Sequence, residues 1–184
     1  MKKRNVLIIG AGGIGSFLIP LLDKVGLYDI TVYDPDIVEL KNITYQNFTK
    51  EDIEKKKVDA MKEKYDITAE PYPVLTAFQL KGYDLVVCCA DNLDIRRTMY
   101  NSDVKWLDLR AQARNAAMIS HLEDPKLYNV FTSGPDGSFS CQGEWDGKPE
   151  GINFMQVVIA GYGVQWMQRW FTGDYVEKHF KING

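Results

Sequence analysis

The chain is predicted to fold as an α/β protein: a Rossmann-like, doubly wound, mainly parallel sheet with antiparallel C-terminal strands and a buried late helix. Three observations predict this. Strand-like apolar runs alternate with helical segments along the 184 residues. The run Val6-Leu-Ile-Ile9 passes straight into a glycine turn and the opening of a helix. Residues 83–90 form a second strongly apolar run that reads as a buried strand.

The first strand covers about residues 5–9. Gly10, Gly12 and Gly15 then fit G-x-G-x-x-G, with Gly13 extra. Gly10 permits a tight turn, Gly12 leaves no side chain where a phosphate must approach, and Gly15 lets helix and strand lie close. The helix, about residues 12–25, offers free amides and its positive dipole end to an anion. Pro20 should kink it. Residues 27–33 alternate as a second strand ending at Asp34-Pro35-Asp36.

Residues 51–65 read as a charged helix whose Ile53, Val58, Ala60, Met61 and Tyr65 share one arc at 100° per residue. Lys57 lies in the middle of that arc. It either snorkels past the apolar face or aims inward at an anion. A third strand, about residues 67–75, is broken by Pro71 and Pro73 and so belongs near an edge. After the strand at 83–90 come Asp91-Asn92, a helix at 93–100 and a strand at 106–110. Residues 116–122 and 127–132 read as antiparallel strands, 133–138 as a turn and 143–151 as an irregular loop. The late helix, 154–171, is apolar on nearly all sides through Val164, and Gly161 and Gly163 permit close approach. No repeat or linker interrupts residues 1–184, which read as a single domain.

Composition narrows the function. Hydrophobic content of 45% and charged content of 26% are ordinary for a globular protein. A net charge of −3 argues against a nucleic-acid or anionic-membrane surface. No stretch of about 20 apolar residues reads as a membrane span. Lys2-Lys3-Arg4 before an apolar run imitates a signal peptide, but the glycine turn interrupts the run and no A-x-A site follows. A cytoplasmic location is therefore expected. Cys88, Cys89 and Cys141 suggest neither a disulfide framework nor a zinc site, and His121 and His179 lack metal-ligand neighbours. Cys88 and Cys89 read as core, and Cys141, in a loop, as structural.

Asp34 follows Gly10 by 24 residues, where an acidic residue meets ribose hydroxyls in dinucleotide-binding folds. That alone allows a nicotinamide-dependent oxidoreductase. The order of later motifs changes the reading: Asp34-x-Asp36-x-Val38-Glu39-x-x-Asn42-x-x-Tyr45-Gln46, then Lys57-Val-Asp-Ala60, then Asp84-Leu-Val-Val-Cys-Cys-Ala-Asp91-Asn92 with Arg96 after it. Over residues 5–110 this resembles the ThiF/MoeB family, relatives of the ubiquitin-activating enzymes, and is nearest to the compact phage and plasmid forms. The helix and glycine at 151–173 are similar to the family's late helix.

The resemblance implies an adenylyltransferase that uses ATP and Mg²⁺ to activate the C-terminal carboxylate of a ubiquitin-like or sulfur-carrier protein, releasing pyrophosphate. It implies that Gly10, Gly12, Gly13 and Gly15 shape the phosphate turn and that Asp34 takes the ribose. Asn42 and Lys57 approach the phosphates, and Asp91 holds Mg²⁺. Asn92 either joins the site or caps the next helix. Asp36 reads as structural. A homodimer is expected from family habit and from the aromatics Trp166, Trp170 and Phe171, which read as exposed.

The chain departs from the family where Tyr45 occupies the position of a phosphate-contacting arginine, leaving Arg96, Arg110 or Arg114 to compensate. The family's paired cysteines for structural zinc are missing, and the arginine that many relatives carry on an N-terminal extension is expected to have only Lys2, Lys3 and Arg4 as counterparts. The end at Asn183-Gly184 does not read as an activated carrier tail. Two alternatives stand beside the enzyme: a nucleotide-binding scaffold or heterodimer subunit, and a nicotinamide-dependent oxidoreductase. The latter has no use for a metal carboxylate at Asp91.

Overall fold

A computed structural model describes residues 2–133, 141–143 and 145–184. Seven strands form one sheet: β1 (Arg4–Ile9), β2 (Tyr28–Tyr33), β3 (Ile67–Glu70), β4 (Leu85–Cys88), β5 (Trp106–Gln112), β6 (Asn115–Ser120) and β7 (His179–Ile182), in spatial order β3-β2-β1-β4-β5-β6-β7. The first five run parallel, and β6 and β7 are antiparallel to their neighbours. The chain winds outward from β1 through β2 to β3, then returns to the other side of β1 at β4. That reversal creates a crevice at the carboxyl ends of β1 and β4, where open α/β sheets bind ligands.

Alternation along the strands separates two cores. Val6, Ile8, Ile30, Val32, Val87, Leu107 and Leu109 share one face with α1 (Gly15–Val25) and α5 (Met155–Thr172). Leu7, Ile9, Val86, Cys88 and Trp106 face α3 (Leu93–Tyr100) on the other. Trp106 stacks on Tyr100 at 4.2 Å between ring centroids. Burial on both faces is why the strand sequences read as nearly unbroken apolar runs. Pro20 lies inside α1 without ending it.

Several sequence expectations are corrected. The helix expected at 51–65 is only α2 (Lys57–Lys62), preceded by a short 3₁₀ turn at Lys50–Asp52. Between them Glu54 is left-handed, with φ of 72°, and Lys56 bridges to Ile37. The amides of Val38 and Glu54 bond Lys55 and Val38 carbonyls across that bridge, so tertiary pairing replaces the helical ladder and Ile53 lies outside the helix. Residues 127–132 are not a strand but a helical turn, α4 (Tyr128–Phe131). Asp124 caps the preceding turn through the Lys126 amide, Pro125 opens it, and Tyr128 lodges against Tyr100 and Trp106. The third strand stops before Pro71, at the sheet edge as expected. From residue 134 onward, the turn expected at 133–138 lies outside the described residues. The final strand β7 was not foreseen.

The late helix is less enclosed than its composition suggests. Ile159, Ala160 and Val164 are buried, whereas Phe154, just before it, and Val158 are exposed. Trp166, read as exposed, is fully inside and donates Nε1–H to the Glu177 carbonyl at 2.9 Å. Trp170 and Phe171 are half-buried. Those rings pack on one another beneath the C-terminal segment.

Glycines of this fold differ sharply in tolerance. A Cβ on Gly15 would fall 1.9 Å from the Gly10 carbonyl oxygen, whereas one on Gly161 meets nothing within 4 Å. Urea unfolding should show Gly15→Ala destabilised by about 3 kcal/mol through overpacking. Gly161→Ala should gain about 0.5–1 kcal/mol from reduced backbone entropy in the unfolded helix.

Candidate active site

The glycine turn caps the crevice at the end of β1. Gly10 is left-handed, with φ of 96°, and a Cβ on it would press on the backbone at Ala90. The amide of Gly10 bonds the Tyr33 carbonyl, and that of Ala11 donates to Asp34 Oδ2 at 2.7 Å. The next three amides, of Gly12, Gly13 and Ile14, have no acceptor among the described residues. A Cβ on Gly12 meets no protein atom closer than 4.0 Å, so it would project into the cavity. The turn therefore keeps an amide-lined space free of side chains, which suits an anion.

Around this turn lies a cavity of about 980 Å³. One side comes from the loop after β2. Asp34, buried, also accepts the Asp36 amide at 2.8 Å. Burial raises the Asp34 carboxyl above its usual range, against the pull of Lys57 and the two amides. Asn42 is buried with Oδ1 bound to the Glu39 amide, leaving its Nδ2 without a partner among the described residues. Lys57 reaches Asp36 Oδ2 at 2.9 Å and is almost fully enclosed. The lysine thus points inward, as its place on the apolar arc suggested, but from the first residue of a short helix. Asp36 anchors it, giving that residue the structural role expected of it.

The opposite side comes from the ends of β4 and β5. Asp91, exposed, lines the cavity beside Asn92. Asn92 accepts the Asp94 amide at 2.7 Å, capping α3, and also lies on the cavity wall. Arg96 and Arg110 also line the cavity and Arg114 does not. Two residues of consequence, one on the wall and one behind it, went unremarked as site candidates in the sequence. Gln46 borders the glycine turn with a buried, unpartnered Oε1. Asp108 lies behind the wall and ties Arg96 and Arg110 together. Only the motif position of Gln46 pointed to it, and nothing local marked Asp108.

Asp108 is completely buried. It accepts Arg96 Nε at 3.0 Å, the Tyr100 hydroxyl at 2.6 Å and Arg110 Nη2 at 2.7 Å. Burial pushes its carboxyl upward, but both guanidiniums and the hydroxyl outweigh this and hold it below the usual range. Tyr45 is buried on the near wall, its ring edge against Trp145 and its carbonyl bound by Gln156 Nε2 at 3.1 Å. It brings no charge to the family arginine's position. Cys141 sits against the turn: a Cβ on Gly13 would fall 2.4 Å from its sulfur. The Cys141 sulfur therefore occupies the space that a side chain on residue 13 would need. Burial raises the Cys141 thiol, the reverse of an activated nucleophile, and pushes Cys88 up to about 11. Cys89, expected in the core, is half-buried and borders the cavity.

A model of the ThiF family matches residues 1–107. The adenylyltransferase and sulfurtransferase UBA4 of Scheffersomyces stipitis is 29% identical over 204 aligned positions, covering 98% of this chain and 44% of that protein. The sulfur carrier protein adenylyltransferase of Thermus thermophilus is 30% identical over 107 residues, covering 52% of this chain and 40% of its own length. This chain therefore spans less than half of either relative. The crystal structure of E. coli MccB with ATP has the same fold, with a TM-score of 0.71 at 16% identity, covering 100% of this chain and 61% of that one.

The buried carboxylate has a pH signature. Its folded pKa is lowered, so its contribution to stability is present above the unfolded value of about 4 and is lost as the pH falls through the folded value. Urea midpoints measured from pH 7 to pH 2.5 should drop in that acidic window. Asp108→Asn should flatten this part of the profile and cost about 3–5 kcal/mol at neutral pH by leaving the buried Arg96 guanidinium without its countercharge.

Proposed function

We propose, for a chain that belongs to the ThiF family, that it adenylates the C-terminal carboxylate of a ubiquitin-like or sulfur-carrier protein with ATP as the other substrate. Carrying this reading is the convergence of unpaired glycine-turn amides, Asn42, Lys57 and Asp91 on one cavity at the strand-order reversal. A hydride-transfer site has no need of that set. In this reading residues 1–184 form one nucleotide-binding unit, acting in the cytoplasm as a homodimer. The curated relatives' named activities support it.

The residues divide the work. The amides of Gly12 and Gly13 take phosphate oxygens, with Gly10 and Gly15 holding the turn in shape. Asp34 braces the turn and meets the ribose. Asn42 Nδ2 and the Lys57 ammonium approach the phosphates, bringing positive charge to a group on which charge develops. Arg96 supplies positive charge from the far wall, on the side where the second anion must enter. The carrier carboxylate attacks the α-phosphorus, a new P–O bond forms, and the bond to the bridging oxygen of the leaving pyrophosphate breaks. Holding both anions in register is the larger part of the task.

Among the described residues no group of three His, Cys, Asp or Glu side chains could hold a metal by itself. One carboxylate, Asp91, on the cavity wall fits Mg²⁺, which is commonly held by one or two carboxylates and completed by substrate phosphates. Asp91 would hold it, and bound there the ion would neutralise phosphate charge.

Calorimetry should show ATP with Mg²⁺ binding in the micromolar to millimolar range and NAD not binding. ATP–pyrophosphate exchange should require the carrier, and Asp91→Ala should reduce it on the order of 10²–10³-fold. Absence of ATP binding would overturn the reading.

A further inference from the structure

Arg96 and Arg110 share Asp108, yet only Arg110 has a partner at each of its three guanidinium nitrogens. Arg110 makes four hydrogen bonds: Nε and Nη2 to Asp108, Nη2 also to the Tyr100 hydroxyl, and Nη1 to the Phe131 carbonyl at 2.6 Å. The Arg96 side chain is 8% exposed and bonds Asp108 through Nε alone. Among the described residues nothing accepts from either of its Nη groups, and neither is sealed from the cavity that Arg96 lines. Two guanidiniums face one buried carboxylate here, a locally positive cluster, with the exposed carboxylate of Asp91 elsewhere on the same wall. A buried arginine whose head is fixed at Nε and open at both terminal nitrogens is a planar fork awaiting a two-oxygen anion.

The fork's place selects the anion. Asp34, Asn42 and Lys57 stand at the β2 side of the glycine turn, and Arg96 stands across it, over β4 and β5. On the β2 side the cation Lys57 is already partly neutralised by Asp36. Adenylation must bring a second anion to the α-phosphate from the side the nucleotide leaves open. We propose that Arg96 seats the free carboxylate of the acyl substrate and that Asp108, with Tyr100 on its other oxygen, is the positioning residue that aims the fork. This assignment rests on the adenylation reading above. In the step, one carboxylate oxygen uses a lone pair to bond the α-phosphorus while pyrophosphate leaves with the electron pair of the broken P–O bond, and no proton moves. Because the attacking oxygen loses its charge, the bidentate grip weakens as the acyl adenylate forms, so the fork holds substrate more tightly than product.

The test uses the full chain with Mg²⁺ and the α,β-methylene analogue of ATP, glycylglycine as the carboxylate probe, and glycylglycinamide as the control. The Arg96 Nε–H resonance is followed by ¹⁵N NMR and affinities are followed by calorimetry. With the analogue bound, glycylglycine should shift the Arg96 signal saturably and glycylglycinamide should not. Arg96→Lys, which keeps the charge but loses the fork, should leave analogue affinity within about twofold and weaken glycylglycine by about tenfold or more. Asp108→Asn should show the same split, and Arg96→Lys carries the test if that variant does not fold. The assignment falls if the analogue alone saturates the Arg96 response, if glycylglycinamide binds equally well, or if Arg96→Lys leaves glycylglycine affinity unchanged. An analogue that binds without any glycylglycine response overturns this assignment alone. An analogue that does not bind overturns the adenylation reading and this assignment with it.

Discussion

The approach of α1 to β1 at Gly15 is the constraint on which the site depends. There is no room for a side chain between Gly15 and the Gly10 carbonyl. With the helix pressed to that distance, the amides before it face the crevice and not the core. Asp34 then secures the turn from the side by accepting the Ala11 amide, which binds the end of β2 to the end of β1. The turn is held from beneath by Cys141 against Gly13, and the Cys141 carbonyl in turn accepts the Ala113 amide at the β5–β6 turn. Three separate parts of the chain thereby fix one short loop, as a preorganised anion site requires.

The cavity is divided electrostatically by the same geometry. Its β2 side holds a lysine paired with an exposed aspartate, and its β5 side holds an arginine cluster organised by a buried one. A buried ion pair costs desolvation, and one carboxylate serving two guanidiniums meets that cost only with every remaining oxygen site occupied. The Tyr100 hydroxyl adds a further hydrogen bond to that carboxylate. Tyr45 brings no charge to its wall, and the cavity's arginines stand on the wall opposite, on α3 and β5.

Elements with strong local signals were legible. The helix at Leu93–Tyr100 was bounded correctly because Asn92 caps it and its apolar residues are periodic. The strands β1, β2 and β4 were legible because burial on both faces leaves little but apolar residues. Misreadings arose where a local preference met a stronger partner. Residues 51–56 have helical composition, but pairing with the segment around Val38 drew them out of the helix. Leu127 to Thr132 has strand-forming residues, but the Asp124-Pro125 start and the aromatic surface of Tyr100 and Trp106 made it a helical turn. The strand β7 was missed because it is short, half-exposed and stabilised by pairing with β6, a contact no local pattern encodes.

The sequence by itself determined the sheet's class, the glycine turn, Asp34 at the end of a strand and Lys57 on an apolar arc, while Asn42 and Asp91 were named by resemblance to the family's ordered motifs. Tertiary structure alone decided which charges meet. Asp108 is an inconspicuous residue inside an apolar strand, and its significance comes from Arg96 and Tyr100 arriving from α3 and Arg110 from two positions along β5. Tertiary structure likewise decided that Asp36 is the partner of Lys57 and that Cys141 supports the turn. Coulomb and contact energies depend on distance in space, and separation along the chain conceals it.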